Sequence, residues 1–512
     1  MLRVPAFRRS LVAAVALAIA VPAVAATAAD GDGSGVGRGP KPGSAAYLAR
    51  DAQNIADAYG RQTGPGGQFT AAYVQAALNE QGAQGMAQLF EQAAEPTRPA
   101  LDPGEVVPGW NSGNPFRYHW AGKRGLIVPV TYTNRYGALI RGDVFAPLPG
   151  ARDPYTHRRL RPPYPGVVIT TGSVQGSERM YWWLAEDLAE RGYVVLTYDV
   201  QGQGRSETFG HQGPIADLPY CDLGAKTVPG EQDPCPGVPF QQPANFVFGT
   251  EDAIDFFLAT PAHRYRNPHA GSAEVDHYNP LWRLFDRSPD RQTVTPGRTT
   301  RLAIVGHSLG AMAVSYVQAV DKRVEAVVAL DKLASSPGFS AMGKMRPVVP
   351  GLGVQSEYGF NVAPYFANPG LFNGAAVASP DKAPDPKREE KTGYDGWRAK
   401  NVDTMVIVPR ASTHLEYTDI PWVLPASRYG QDVASYYTQA WLDTYVKHDP
   451  AGDRALLATR FRYLEPSAGY AWRPVTLHRA QRVSFYFCSG YSLRTPNGGR
   501  LVNDDLAHVG CR

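Results

Sequence analysis

The chain is short of several things that would each have pointed to a function. It has little excess charge: 51 Lys and Arg against 47 Asp and Glu in 512 residues, a formal balance of +4. Three of the positive charges are Arg3, Arg8 and Arg9, so a chain trimmed after Ala25 or Ala28 stands at about +1. Such a chain offers no general field for nucleic acid or an anionic membrane. After Leu11–Val24 nothing in the sequence resembles a transmembrane segment, and that run is itself too short to span comfortably. Cysteine is scarce. The four residues Cys221, Cys235, Cys488 and Cys511 are widely spaced with no histidine cluster beside them, which argues against a metal site. There is no internal repeat.

What is present reads as a globular protein. The apolar fraction is 43% and the charged fraction 19%, so a sizeable core is available. Gly and Pro number 52 and 44, which predicts many long loops. Residues 1–28 read as an export signal: a basic start, an apolar run, and small-residue cleavage sites at Ala23-Val24-Ala25 and Ala26-Thr27-Ala28. A secreted chain would meet an oxidising compartment, so the cysteines are expected to pair locally, Cys221 with Cys235 and Cys488 with Cys511.

Residues 29–110 read as a Gly/Pro-rich leader and a helical extension. Helical spacing of apolar residues runs over Ala45–Tyr59 and Phe69–Ala93. These helices could cap the following region or pack on its flank. Residues 111–455 then read as an α/β domain. A hairpin is expected over Gly125–Tyr132 and Ala138–Ala146. Strands at Pro165–Thr170, Tyr193–Asp199, Arg301–Val305, Val324–Leu330, Val348–Val354 and Thr404–Val408 alternate with helices at Met180–Arg191, Glu251–Ala259, Gly310–Val320 and Asp432–His448. That alternation predicts a mostly parallel sheet with helices on both faces. Insertions interrupt it near 207–245 and 261–299. The second has the composition of a lid, an edge cover or a plain surface excursion. Residues 456–512 read as a β-like, disulfide-stapled appendage.

The chemistry concentrates at Gly306-His307-Ser308-Leu309-Gly310. This G-x-S-x-G follows an apolar strand and precedes an Ala-rich helix, the context in which a strained turn projects a serine hydroxyl. A serine needs a base, and the base needs an orienting acid. His414 is placed for the base, in the loop after the strand Thr404–Val408. Two carboxylates can serve as the acid: Asp331, at the end of Val324–Leu330, and Glu357, after Val348–Val354. Backbone N–H groups of Leu309 and of Ser173, with Val174 as its alternate, would form an oxyanion hole. Asp199–Ser206 reads as a tight structural turn, since no Lys-Ser/Thr follows its glycines as a phosphate cradle requires.

These stretches resemble the α/β-hydrolase superfamily. The Asp199–Ser206 turn matches its Asp-x-x-Gly-x-Gly-x-Ser pattern. Gly306–Gly310, Ala329-Leu330-Asp331, Ser356-Glu357-Tyr358 and Ser412-Thr413-His414 resemble the platelet-activating-factor acetylhydrolases and their bacterial lipase and polyester-hydrolase-like relatives. The resemblance covers roughly residues 124–448. It departs at Thr171-Gly172, where relatives carry His-Gly, and at Ala311, where many carry Gly. The resemblance implies the α/β-hydrolase fold and a secreted esterase or lipase acting on a small-molecule, lipid or polymer ester. Among the acetylhydrolases it implies Asp331 as the acid; other members would place it at Glu357. It implies no metal and no organic cofactor. A peptidase, an amidase or an acyltransferase would use the same triad, and a non-catalytic binding protein could keep the fold.

Overall fold

The computed structural model describes residues 39–64, 67–79, 113–173, 176–207, 243–335, 345–359, 362–364, 380–419 and 430–511. The export-signal residues 1–28, Val174, Cys221, Cys235 and most of the 207–245 insertion lie outside these ranges.

Short runs of consecutive apolar residues, too short for helices, form strands buried on both faces. They are β3 (Gly166–Thr170), β4 (Val194–Tyr198), β5 (Leu302–His307), β6 (Ala326–Leu330), β7 (Gly351–Val354) and β8 (Thr404–Ile407), and every residue in them is buried. The alternating run before them forms the antiparallel hairpin β1 (Gly125–Thr133) and β2 (Leu139–Pro147). With β11 (Gly490–Arg494) and β12 (Arg500–Asn503), ten strands make one sheet in the order β1-β2-β4-β3-β5-β6-β7-β8-β11-β12. The six strands from β4 to β8 run parallel, flanked on each side by antiparallel partners. This is a mixed, mostly parallel sheet of the α/β class.

Side chains alternate between its faces. Val167, Ile169 and Val305 face Trp183 and Leu188 of α2 (Trp182–Glu190) and Tyr437 and Trp441 of α5 (Gly430–Tyr445). Val168, Leu196 and Ile304 face Phe246 and Phe257 of α3 (Pro243–Leu258) and Val314 and Val317 of α4 (Leu309–Val320). Burying both faces supplies the main driving force for the fold, about 25 cal/mol per Å² of apolar surface. Among the described residues no helix is long and apolar enough to cross a membrane.

Several elements differ from expectation for identifiable reasons. Strand β7 begins only at Gly351, because the N–H groups of Val348 and Val349 donate to Gln318 Oε1 and Pro350 has none to give. Helix α3 starts eight residues before Glu251. The 261–299 segment is an edge cover. The β1 N–H groups of Thr131 and Thr133 donate to Asp276 (2.8 Å) and Asn267 (2.7 Å) in that segment, which occupies the outer edge of the sheet.

The C-terminal residues are more than an appendage. A separate hairpin, β9 (Arg460–Ser467) with β10 (Ala471–His478), follows helix α6 (Pro450–Leu457). The last strands, β11 (Gly490–Arg494) and β12 (Arg500–Asn503), join the main sheet beside β8. A disulfide between Cys488 and Cys511 closes this hairpin. At the other end, α1 (Ala45–Thr63) packs on the flank: Tyr47 meets Tyr486 edge to face, and Asp51 accepts from the Tyr486 hydroxyl at 2.9 Å. Residues 71–79 are helical, and 80–93 of the expected second helix lie outside the described ranges.

Candidate active site

Ser308 sits between the last residue of β5 and the first of α4, with φ 55° and ψ −120°. A non-glycine residue in that region is strained and is held there by its surroundings. The surroundings are two close backbone approaches. A Cβ on Gly306 would lie 2.2 Å from the Gly310 carbonyl oxygen, and one on Gly310 would lie 2.3 Å from that of Thr171. Only glycine fits either position, which explains the residues on both sides of the serine.

Asp331 follows β6, and His414 follows β8 by way of the loop 408–413. The sheet order places β5 next to β6 and β8 two strands further, so all three residues gather at the carboxyl edge. Ser308 Oγ is 2.9 Å from His414 Nε2. His414 Nδ1 is 2.6 Å from Asp331 Oδ2. Asp331 also accepts from the Ser356 N–H (3.1 Å) and the Ser356 hydroxyl (2.7 Å). Burial alone would raise the Asp331 carboxyl; the hydrogen bond and charge of His414, with Lys332 and Ser356, instead hold it well below the usual carboxylate range. It is therefore an anion, acceptor-only, and it fixes His414 with a proton on Nδ1 and an acceptor on Nε2.

Glu357, the other carboxylate weighed, points elsewhere. It is fully buried, and burial raises its carboxyl above the ordinary value. Its Oε2 accepts from the Ala411 N–H (2.6 Å) and from the amide of Asn54 in α1. Its own N–H donates to Ser412 Oγ at 3.0 Å. Glu357 thus braces the loop that carries His414, while the imidazole Nδ1 faces Asp331. Arg410 extends the brace, donating to Asn54 (2.9 Å) and Asp57 (2.6 Å).

The Thr171–Ser173 segment lies against the serine: a Cβ on Gly172 would be 3.0 Å from Ser308 Cβ. Both backbone groups of Gly172 are engaged. Its N–H donates to the Tyr181 hydroxyl (2.9 Å), and its carbonyl accepts from Gln203 Nε2 (2.9 Å). The Gly172 N–H is therefore already taken; the next N–H along the segment is that of Ser173, and its alternate Val174 lies outside the described residues. Leu309 is the first residue of α4, where N–H groups have no partner within the helix and the dipole favours an anion.

Three participants were not singled out from the sequence. His307 donates from Nε2 to the His414 carbonyl at 2.9 Å, since a carbonyl can only accept. Its Nδ1 is then the acceptor, and the Tyr181 hydroxyl donates to it at 2.7 Å. Burial and the neighbouring His414 push His307 down to about 3, which keeps this neutral tautomer. Gln203 comes from the Asp199–Ser206 turn, which is structural as expected: Asp199 accepts from the N–H groups of Glu178 (2.6 Å) and Arg205 (2.8 Å). The signal for His307 and Gln203 was their position inside the motifs; Tyr181 had none.

Among the described residues, one group of metal-ligating type lies within bonding reach of itself, Asp290, Glu325 and His448, at the far end of the strands. No protein-family model matches the chain, and a search of curated proteins found no similar one.

Proposed function

We propose that the chain is a secreted serine hydrolase of the α/β-hydrolase fold that cleaves carboxylic esters. One observation carries this reading: Ser308, His414 and Asp331 are joined by hydrogen bonds of 2.9 and 2.6 Å on three different strand ends. Export is supported by the sequence of residues 1–28 and by the Cys488–Cys511 disulfide.

In the proposed reaction His414 takes the Ser308 proton as Oγ attacks the ester carbonyl. The N–H groups of Leu309 and Ser173 receive the oxyanion. His414 returns its proton to the leaving alkoxide, and an acyl-enzyme forms. Water, activated by the same imidazole, then releases the acid. Asp331 stabilises the imidazolium at both stages. No metal ion or organic cofactor enters any step.

The test is a panel of aryl esters, triglycerides and aryl amides with wild type and Ser308→Ala. Ester turnover should dominate and should fall at least about 10⁴-fold in the variant. Undiminished turnover in Ser308→Ala overturns the proposal, and dominant amide turnover would make the chain an amidase or peptidase.

A further inference from the structure

Strand β6 carries a carboxylate at each end. Asp331 leaves its carboxyl end for the serine site; Glu325 precedes its first residue, about 20 Å away at the strand rise per residue. Glu325 is fully buried; neither carboxyl oxygen has a partner within 3.5 Å in hydrogen-bond geometry, and the groups that interact with it are Thr293 and Asp290. A buried carboxyl group whose lone pairs go unmet is costly whether it is neutral or ionised.

The oxygens of Glu325 face two other ligand-type groups. Asp290, 1% exposed, belongs to the edge-covering segment, and His448 follows α5. One ligand atom from each lies within 4.8 Å of the others. Asp290 Oδ1 accepts from the Gln292 N–H at 2.8 Å, which leaves Oδ2 turned toward His448 Nε2 and Glu325. A guanidinium nearby is shared: Arg301 lies 3.3 Å from Asp286 and 3.7 Å from Asp290. Three carboxyl groups, those of Asp286, Asp290 and Glu325, therefore gather about this guanidinium, and a dication would balance them with Glu325 ionised.

We infer that Asp290, Glu325 and His448 bind a divalent transition-metal ion of the zinc class at the amino edge of the sheet, with water completing the shell. The imidazole selects zinc over calcium and magnesium, which prefer all-oxygen shells. Metal–ligand bonds of about 2.0–2.2 Å hold tetrahedral ligand atoms roughly 3.4 Å apart, so His448 Nε2 and Asp290 Oδ2, now 2.5 Å apart, must separate to admit the ion, while Glu325 closes from within 4.8 Å. The His448 side chain is 10% exposed and provides the way in. The ion would join the edge cover, the start of β6 and the end of α5, three segments far apart in sequence. Its role is structural, and it is independent of the proposed esterase activity.

The test uses the full chain stripped with EDTA and then dialysed against Zn²⁺ or Ca²⁺. Metal content and thermal unfolding are the readouts, so a failure here is separate from any failure of the esterase reading. We expect about one zinc per chain and a rise in Tm of a few degrees with Zn²⁺. Glu325→Gln keeps the shape of the side chain and should abolish both. His448→Asn is the second variant, should the first not fold, and should behave the same way. No stoichiometric zinc and no shift in the wild type overturns the inference; so does a response to Ca²⁺ alone, or zinc uptake undiminished in a folded variant. If a proton shared between Asp290 and Glu325 closes the cluster instead, the wild type will ignore Zn²⁺ and Glu325→Gln will be as stable as wild type.

Discussion

His307 donates its Nε2 proton to the main-chain oxygen of His414, 2.9 Å away. The residue before the serine is thereby tied to the residue that would serve as its base. Through Tyr181 the same ring is tied to Gly172, beside the Ser173 N–H. One neutral imidazole thus ties together the Ser308 elbow, the His414 loop and the Gly172–Ser173 segment.

That imidazole should leave a mark on stability. Its value in the fold is about 3, below the ordinary histidine value near 6.5. Between these limits the unfolded chain binds more protons, so stability falls as pH drops from about 6.5 toward 3, by at most about 1.4 kcal/mol per pH unit from this group. Denaturant unfolding of wild type and His307→Asn across that range should give a steeper slope for the wild type. Equal slopes would mean His307 is not held neutral.

Tyr181→Phe removes the hydroxyl that receives the Gly172 N–H and donates to His307. Two buried groups lose their partner, at about 1–3 kcal/mol. The proposed oxyanion loop would loosen, so kcat should fall while KM for a small ester changes little. An unchanged kcat with normal stability would show that the link is dispensable.

The two carboxylates should separate cleanly. Asp331→Asn leaves the shape but cannot hold the imidazole in its tautomer or stabilise its charge, and kcat should fall by about 10⁴-fold. Because the folded carboxyl is depressed, the stability it contributes is present above the ordinary Asp value and is lost as pH falls below it. Glu357→Gln should lower Tm, since it weakens the brace on Ala411 and Asn54, with less than about a tenfold effect on kcat. The opposite ranking in steady-state kinetics would exchange their roles.

Gly310→Ala forces a methyl to 2.3 Å from the Thr171 oxygen. Neither backbone can yield easily, so a loss of about 1–3 kcal/mol is expected in chemical denaturation, together with lower turnover. Replacing Cys488 and Cys511 together with Ser should cost a similar amount, roughly 3 kcal/mol for a closed loop with a separation of 23 residues.

Much of this arrangement was legible in the sequence because it is local. The strand–Gly-x-Ser-x-Gly–helix run, the uniform apolar strands and the hairpin at 125–147 are each specified by neighbours in the chain. Proximity of His414 to Ser308 could be anticipated from strand alternation. The choice between Asp331 and Glu357 could not, since both follow strands at the same edge, and only side-chain direction separates them. The joining of β11 to β8, the brace from Asn54 to Glu357, and the contact of Tyr181 with His307 pair residues between 84 and 303 positions apart. The scattered Asp290, Glu325 and His448 share no motif at all.

The union of β8 with β11 also sets an order of assembly. Arg410 donates its N–H to the Arg482 carbonyl at 2.8 Å, and Val408 donates its own to Ser489 Oγ at 3.0 Å. The loop presenting His414 is therefore pinned by residues made some seventy to eighty positions later. A nascent chain can shape the Ser308 elbow and the Asp331 turn while that loop has only its earlier ties, to Glu357 and to Asn54 and Asp57 of α1. The Ser308 elbow can be complete first, and the His414 loop gains its last tethers once the later strand has emerged and docked.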